Sequence, residues 1–146
     1  MTVLDVTIEV LHTLFAGLWA GGVLVMAGLV LPAARDGHLS EAGLRWVAKR
    51  FTYLTLASVG VLFLTGGHMA GTRYTFESLQ GTGRGHLVVT MLGLWFVLAG
   101  LLHVGTHGLT DELDSGSVES AVAATATWFN ASAVVALALL VVAGLL

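Results

Sequence analysis

Cysteine is absent from this chain and charge is scarce: Asp, Glu, Lys and Arg together make up 10% of its residues, against 56% apolar ones. The first absence removes disulfides and thiolate metal sites. The second is incompatible with an ordinary soluble domain, in which about 25% of residues are charged. The net charge is only -3 and the six Lys and Arg are scattered through the loops, so nucleic acid is excluded as a partner. The 146 residues suit one domain. Four crossings of about 20 residues with short loops would use nearly all of them, leaving no room for a soluble second domain.

The charged residues mark out four windows. Between Glu9 and Arg35 the only ionisable side chain is His12, and between Arg50 and Arg73 the only one that titrates near neutral pH is His68. Gly85 to Thr110 holds His86, His103 and His107 but no Asp, Glu, Lys or Arg, and Ser120 to Leu146 holds none of these at all. Each window can cross a hydrocarbon core of about 30 Å at about 1.5 Å per residue. None shows the short alternating period of barrel strands. The expectation is an all-α fold, an integral membrane antiparallel four-helix bundle forming a single transmembrane domain over residues 1–146, with helices near 7–31, 51–71, 86–108 and 121–145. Asp5 and Glu9, with no basic residue before a long apolar run, argue against a cleaved signal, so the first window is expected to stay in the mature protein.

Loop one carries Arg35, Arg45, Lys49 and Arg50, loop two only Arg73 and Arg84, and loop three no basic residue. The positive-inside rule then puts loops one and three in the cytoplasm and both termini outside a multi-pass cell-membrane protein. The acidic run Asp111, Glu112, Asp114 and Glu119 falls on the same face as loop one. Within loop one, Leu39, Leu44, Trp46 and Val47 interleave with Glu41, Arg45 and Lys49 behind Ser40. This pattern suits a short interfacial helix capped by Ser40 and anchored by Trp46. Gly17, Gly21, Gly22 and Gly28, then Gly66, Gly67 and Gly71, and the alanines of the fourth window predict close helix approach, because small residues let backbones meet where hydrophobic drive is weak.

The topology gathers residues far apart in sequence. His12 is early in the first helix, His68 late in the second and His86 at the start of the third, so alternating helix directions bring all three to the outer face. Neutral imidazole is cheaper to bury than Lys or Asp and offers a metal one nitrogen while its other N–H is held by an acceptor. Glu9, three residues before His12, is a candidate acceptor, and Met69 and Met91 offer thioethers for a soft ion. Three such histidines could hold copper or zinc, and two on facing helices could ligate a b-type haem. The bland alternative is hydrogen bonding at the headgroups and between helices. His103 and His107 form an i,i+4 pair at the other end of the third helix. Their HVGTH sequence lacks the glutamate of HExxH, so it offers no general base. Asn130 on the fourth helix is a candidate partner for His103.

The stretch LHTLFAGLWAGGVLVMAGLVLP, with His12, Trp19 and Gly21-Gly22, resembles the opening helix of the CopD-like copper-resistance and copper-uptake membrane family. The segment RFTYLTLASVGVLFLTGG, Arg50 to Gly67, is similar to that family's second stretch, which opens on Arg-Phe and closes on Thr-Gly. The resemblance implies copper movement or homeostasis and maps a first-helix histidine onto His12. Many relatives open the next helix with a lysine, where this chain has Thr82-Gly83-Arg84-Gly85-His86. The same opening, with the Pro32 to Arg35 exit, also faintly resembles HemJ-like membrane oxidases.

The expected function is copper binding near the outer face by His12, His68 and His86, with Met69 and Met91 as weaker ligands, assisting uptake or homeostasis. Membrane lipid is the surrounding partner, with a homo-oligomer or an extracytoplasmic copper-binding protein as a candidate protein partner. The alternatives are a haem b redox protein or HemJ-like protoporphyrinogen oxidase, and a noncatalytic assembly subunit. A Soret band separates haem from copper.

Overall fold

In a computed structural model, which describes residues 2–146, helix α1 (Val3–Val25) starts from Thr2. The Thr2 hydroxyl accepts the Asp5 amide while the Asp5 carboxylate accepts the Thr2 amide, satisfying donors a helix start would leave unpaired. The helix passes through a π-helical turn, Met26–Val30, into α2 (Leu31–Arg35). Pro32 brings no amide to the ladder, and the Leu31 amide reaches back five residues to the Met26 carbonyl, so the register slips without breaking the rod. Gly37, at φ 78°, supplies the left-handed turn that reverses the chain.

Ser40 caps α3 (Glu41–Arg73), its hydroxyl accepting the Gly43 amide at 3.1 Å. The cap is where the pattern placed it, but the expected interfacial helix is not separate: residues 41–50 are the opening turns of one continuous helix through the second window. No proline or left-handed residue interrupts that run. Trp46 stands 62% exposed beneath the Arg50 guanidinium, a position that suits a headgroup anchor. The short helix α4 (Phe76–Gly81) lies against the start of α5 (Gly83–Ser115), and α6 (Val118–Leu145) returns across the bundle.

Among the described residues four helical rods, Val3–Arg35, Glu41–Arg73, Gly83–Ser115 and Val118–Leu145, are long and apolar enough to cross a membrane, and there is no β-strand. The chain is therefore an all-α, multi-pass membrane bundle. A rod of 33 residues is about 50 Å long, so it overhangs a hydrocarbon layer of about 30 Å or tilts within it.

Packing is uneven along these rods. Full burial begins on α1 at Trp19, on α5 lies at Gly85 and then from Leu98 onward, and on α6 ends at Ala136. The dense half, on the loop-one side, centres on Trp19, Leu44, Phe51, Leu102, Leu109 and Phe129. The Phe51 and Phe129 rings meet there at 6.3 Å. Arg45 ties this end together, pairing with Glu41 and Asp114 and donating to the Leu113 carbonyl at 2.6 Å. That carbonyl is among the last of α5, which no intrahelical amide can reach. The basic first loop and acidic third loop thus share a face, as the topology requires.

The glycines are more selective than their spacing predicts. A Cβ on Gly22 would meet Leu54 and Phe51, and one on Gly66 would meet the His12 ring, whereas Gly17, Gly21, Gly28, Gly67 and Gly71 face open space. The expected close approach along α1 narrows to Gly22, because the helix turns its other glycines away from α3. Of the alanines in α6, Ala121 and Ala136 are fully buried while Ala123 and Ala124 are exposed.

Candidate functional site

The N-terminal half of the bundle, where fewer side chains are fully buried, holds a polar seam between α1 and α3. Its deepest link is the Trp19 indole, which donates to the Thr55 hydroxyl at 3.3 Å. Nearer the face, His12 Nδ1 lies 2.9 Å from the Thr65 hydroxyl, which itself donates to the Val61 carbonyl at 2.6 Å. A hydroxyl has one hydrogen. Since Thr65 spends it on Val61, it can only accept from His12. In the neutral ring the proton of His12 therefore sits on Nδ1, and Nε2, which has no hydrogen-bond partner among the described residues, carries a lone pair. Gly66 makes the approach possible: a Cβ there would stand 3.2 Å from His12 Cε1, tighter than the ring could accept without moving.

One turn further along α3, His68 Nε2 lies 3.8 Å from Asp5 Oδ1, too far for a hydrogen bond. The nitrogen is nevertheless shielded from solvent and has no hydrogen-bond partner among the described residues. Above it, Arg73 donates to Glu9 at 2.9 Å. Glu9 is thus engaged by Arg73, and the acceptor expected of it for His12 is instead Thr65. Three residues at this end, Asp5, Thr65 and Arg73, were not among the site residues that the sequence suggested. For Thr65 a signal was present, since it belongs to the Thr-Gly close of the second family-like stretch, and both Thr65 and Gly66 contact His12.

His86 lies at the same end but in different surroundings. It is exposed on the first turn of α5, and its Nε2 donates to the Gln80 carbonyl of α4 at 2.7 Å. Gly85 beside it is buried so tightly that a Cβ would collide with the backbone of Ser78 and Leu79. Met69 follows His68 on α3 and Met91 lies on the second turn beyond His86, each half-buried. His12 and His68 thus face the α1–α3 seam while His86 belongs to the α4–α5 corner. Among the described residues no group of three or more His, Cys, Asp or Glu side chains stands close enough together to hold a metal ion.

At the opposite end of α5, His103 and His107 are both exposed, with ring centroids 4.5 Å apart at an interplanar angle of 65°. Asn130 is exposed on α6 and makes no hydrogen bond to His103, so that expected contact does not form.

A bundle of four apolar rods with a polar seam at one end defines a small multi-pass membrane protein. Residues 45–146, more than two thirds of the chain, match the family described as Copper resistance protein D, and the chain belongs to that family. The matched residues include the second family-like stretch, His68, Met69, His86 and Met91, whereas the first stretch and His12 lie before them. No curated protein and no solved structure shows significant similarity to the chain. The fainter resemblance to HemJ-like oxidases finds no support in these comparisons.

Proposed function

We propose that this chain handles copper at the N-terminal end of the α1–α3 seam and assists its uptake or homeostasis, with His12 as the principal ligand and His68 as the second. The observation that carries this reading is the contact of His12 Nδ1 with a Thr65 hydroxyl already donating to Val61, which makes Thr65 the acceptor and leaves the Nε2 of a neutral ring for a ligand. A ligating histidine is commonly held this way, its second nitrogen donating to an oxygen that orients the ring. The partnerless Nε2 of His68 is the natural second donor, since a buried polar atom left unpaired is costly. Two imidazoles suit a cuprous ion, and the thioether of Met69 would add a soft third ligand. His86 would join only by giving up its bond to Gln80, and Met91 only with it. The family description, Copper resistance protein D, agrees with this ion.

Copper and protons compete for the same nitrogens, so binding should weaken as pH falls. The test is Cu(I) competition against a chelator in detergent or nanodiscs, with His12→Ala and His68→Ala compared with the parent chain. Loss of copper in His12→Ala and weakening in His68→Ala are expected. A parent chain that holds no Cu(I) near neutral pH, or a His12→Ala variant that holds it unchanged, would overturn the assignment.

A further inference from the structure

We propose that His103 and His107 form a second metal site, a two-nitrogen chelate on the outer surface of α5 near the loop-one face, taking a late first-row cation such as Cu(II) or Zn(II). The pair is separate from the α1–α3 seam and does not depend on copper binding there.

The helix itself builds the chelate. Residues four apart lie one above the other on the same face. Here Leu102, Gly105, Thr106 and Leu109 turn into the bundle, which forces His103 and His107 out of it. The two rings lie edge to face with centroids 4.5 Å apart, and neither imidazole has a hydrogen-bond partner among the described residues. Adjacent imidazoles that have no internal partner can turn about their side-chain bonds to donate lone pairs to one ion.

Their depth makes idle rings costly. His107 stands about 12 Å and His103 about 18 Å from the end of α5, so with about 10 Å of overhang both lie just inside the edge of the hydrocarbon layer, His107 by about 2 Å and His103 by about 8 Å. The chain turns exposed Phe96, Gly100 and Val104 to the lipid on this side, surroundings that offer these rings no hydrogen bond. A bound cation would use the nitrogens that this surface otherwise leaves unpaired. The intervening residues also limit what the site can do. Gly105 and Thr106 are buried and no carboxylate lies between the histidines, the next on this face being Asp111 one turn beyond His107, so the pair lacks the glutamate base of HExxH. Imidazole nitrogen favours copper and zinc over harder ions, with Cu(II) the tightest of the divalent series.

The experiment uses the full chain in nanodiscs carrying His12→Ala, so that the seam does not contribute, and titrates Cu(II) with electron paramagnetic resonance as the readout. One saturable Cu(II) with two nitrogen ligands is expected. Removing either ring, as His103→Ala or His107→Ala, should weaken it on the order of a hundredfold, because the second donor is then no longer held beside the first. Adding Asp111→His to His103→Ala rebuilds an i,i+4 pair one turn along the same face and should restore most of the affinity. Unchanged affinity in both single variants would show that the rings do not ligate the ion and would overturn the proposal. Failure of the rebuilt pair to recover binding would overturn the chelate geometry.

Discussion

The imidazole of His12 can ligate only if one of its nitrogens is kept free, and the hydroxyl of Thr65 decides which. Replacing Thr65 with valine keeps the shape of the residue but removes the acceptor. The ring should then redistribute its proton between Nδ1 and Nε2, seen as a change in its ¹⁵N chemical shifts, and Cu(I) affinity should fall. The stability cost should be small, about 0.6 kcal/mol and at most about 1.7 kcal/mol, the range found for hydrogen bonds between membrane helices. Thr65→Ser retains the hydroxyl and should retain both the tautomer and the affinity. Identical ring shifts in Thr65→Val and the parent would mean that Thr65 does not set the tautomer. At the other end of the same helix Arg45 serves three acceptors, Glu41, Asp114 and the Leu113 carbonyl. Arg45→Asp should lower thermal stability by placing like charges together, and Asp114→Arg in that background should recover part of the loss. No recovery would mean that the carbonyl contact, not the ion pair, is what matters.

Helix ends and helix corners carry more of the architecture than helix middles. Thr2, Ser40, Thr75, Thr82 and Ser117 each accept an amide of the following helix, so every long helix starts on a hydroxyl. The most demanding corner is α4 against α5, where Gly85 packs on the backbone of Ser78 and Leu79. Backbone cannot yield as a flexible side chain does, so Gly85→Ala should cost about 1–3 kcal/mol as overpacking. It should also break the His86 bond to Gln80 by pushing the two helices apart. Gly93→Ala, which meets open space, is the matching control and should be close to neutral. Equal melting temperatures for the two variants would contradict the packing at this corner. The glycine spacing alone could not separate these cases, because it identifies one side of a helix without saying which neighbour lies there.

Across the whole molecule the two ends of the bundle differ in kind. The loop-one end is densely packed and tied by Arg45, while the other end is less fully packed and holds the polar seam, with unpaired nitrogen at His68 and a free one at His12. On the loop-charge rule this seam would face outward, and the proposed site would receive copper from the extracytoplasmic side. Tags at either terminus should then be cut by protease added outside sealed right-side-out vesicles, and tags in loops one and three should be protected. The reverse pattern would turn the proposed ligand end to the cytoplasm and make export or cytoplasmic delivery the direction to consider. The Trp19–Thr55 contact is the deepest polar link of the seam, and below it the core is almost entirely apolar, with scattered hydroxyls. The seam therefore reaches only part of the way across.

The spacing of charges and the length of the apolar windows were enough to determine four membrane helices and which residues share an end, because the cost of placing charge in hydrocarbon and the rise of a helix leave little alternative. The Ser40 cap and the shared face of the basic and acidic loops were legible for the same local reasons, whereas the ion pair between them was not. Which side of each helix faces its neighbour was not. His12 and Thr65 are 53 residues apart, and their contact depends on the rotation of two rods whose apolar residues surround them on all sides, so no hydrophobic face announces it. The same rotation gave Glu9 to Arg73, left Asn130 without His103, and set His86 on a corner of its own. Only the packed structure could decide these, because helix rotation in a membrane follows from the summed fit of many small contacts.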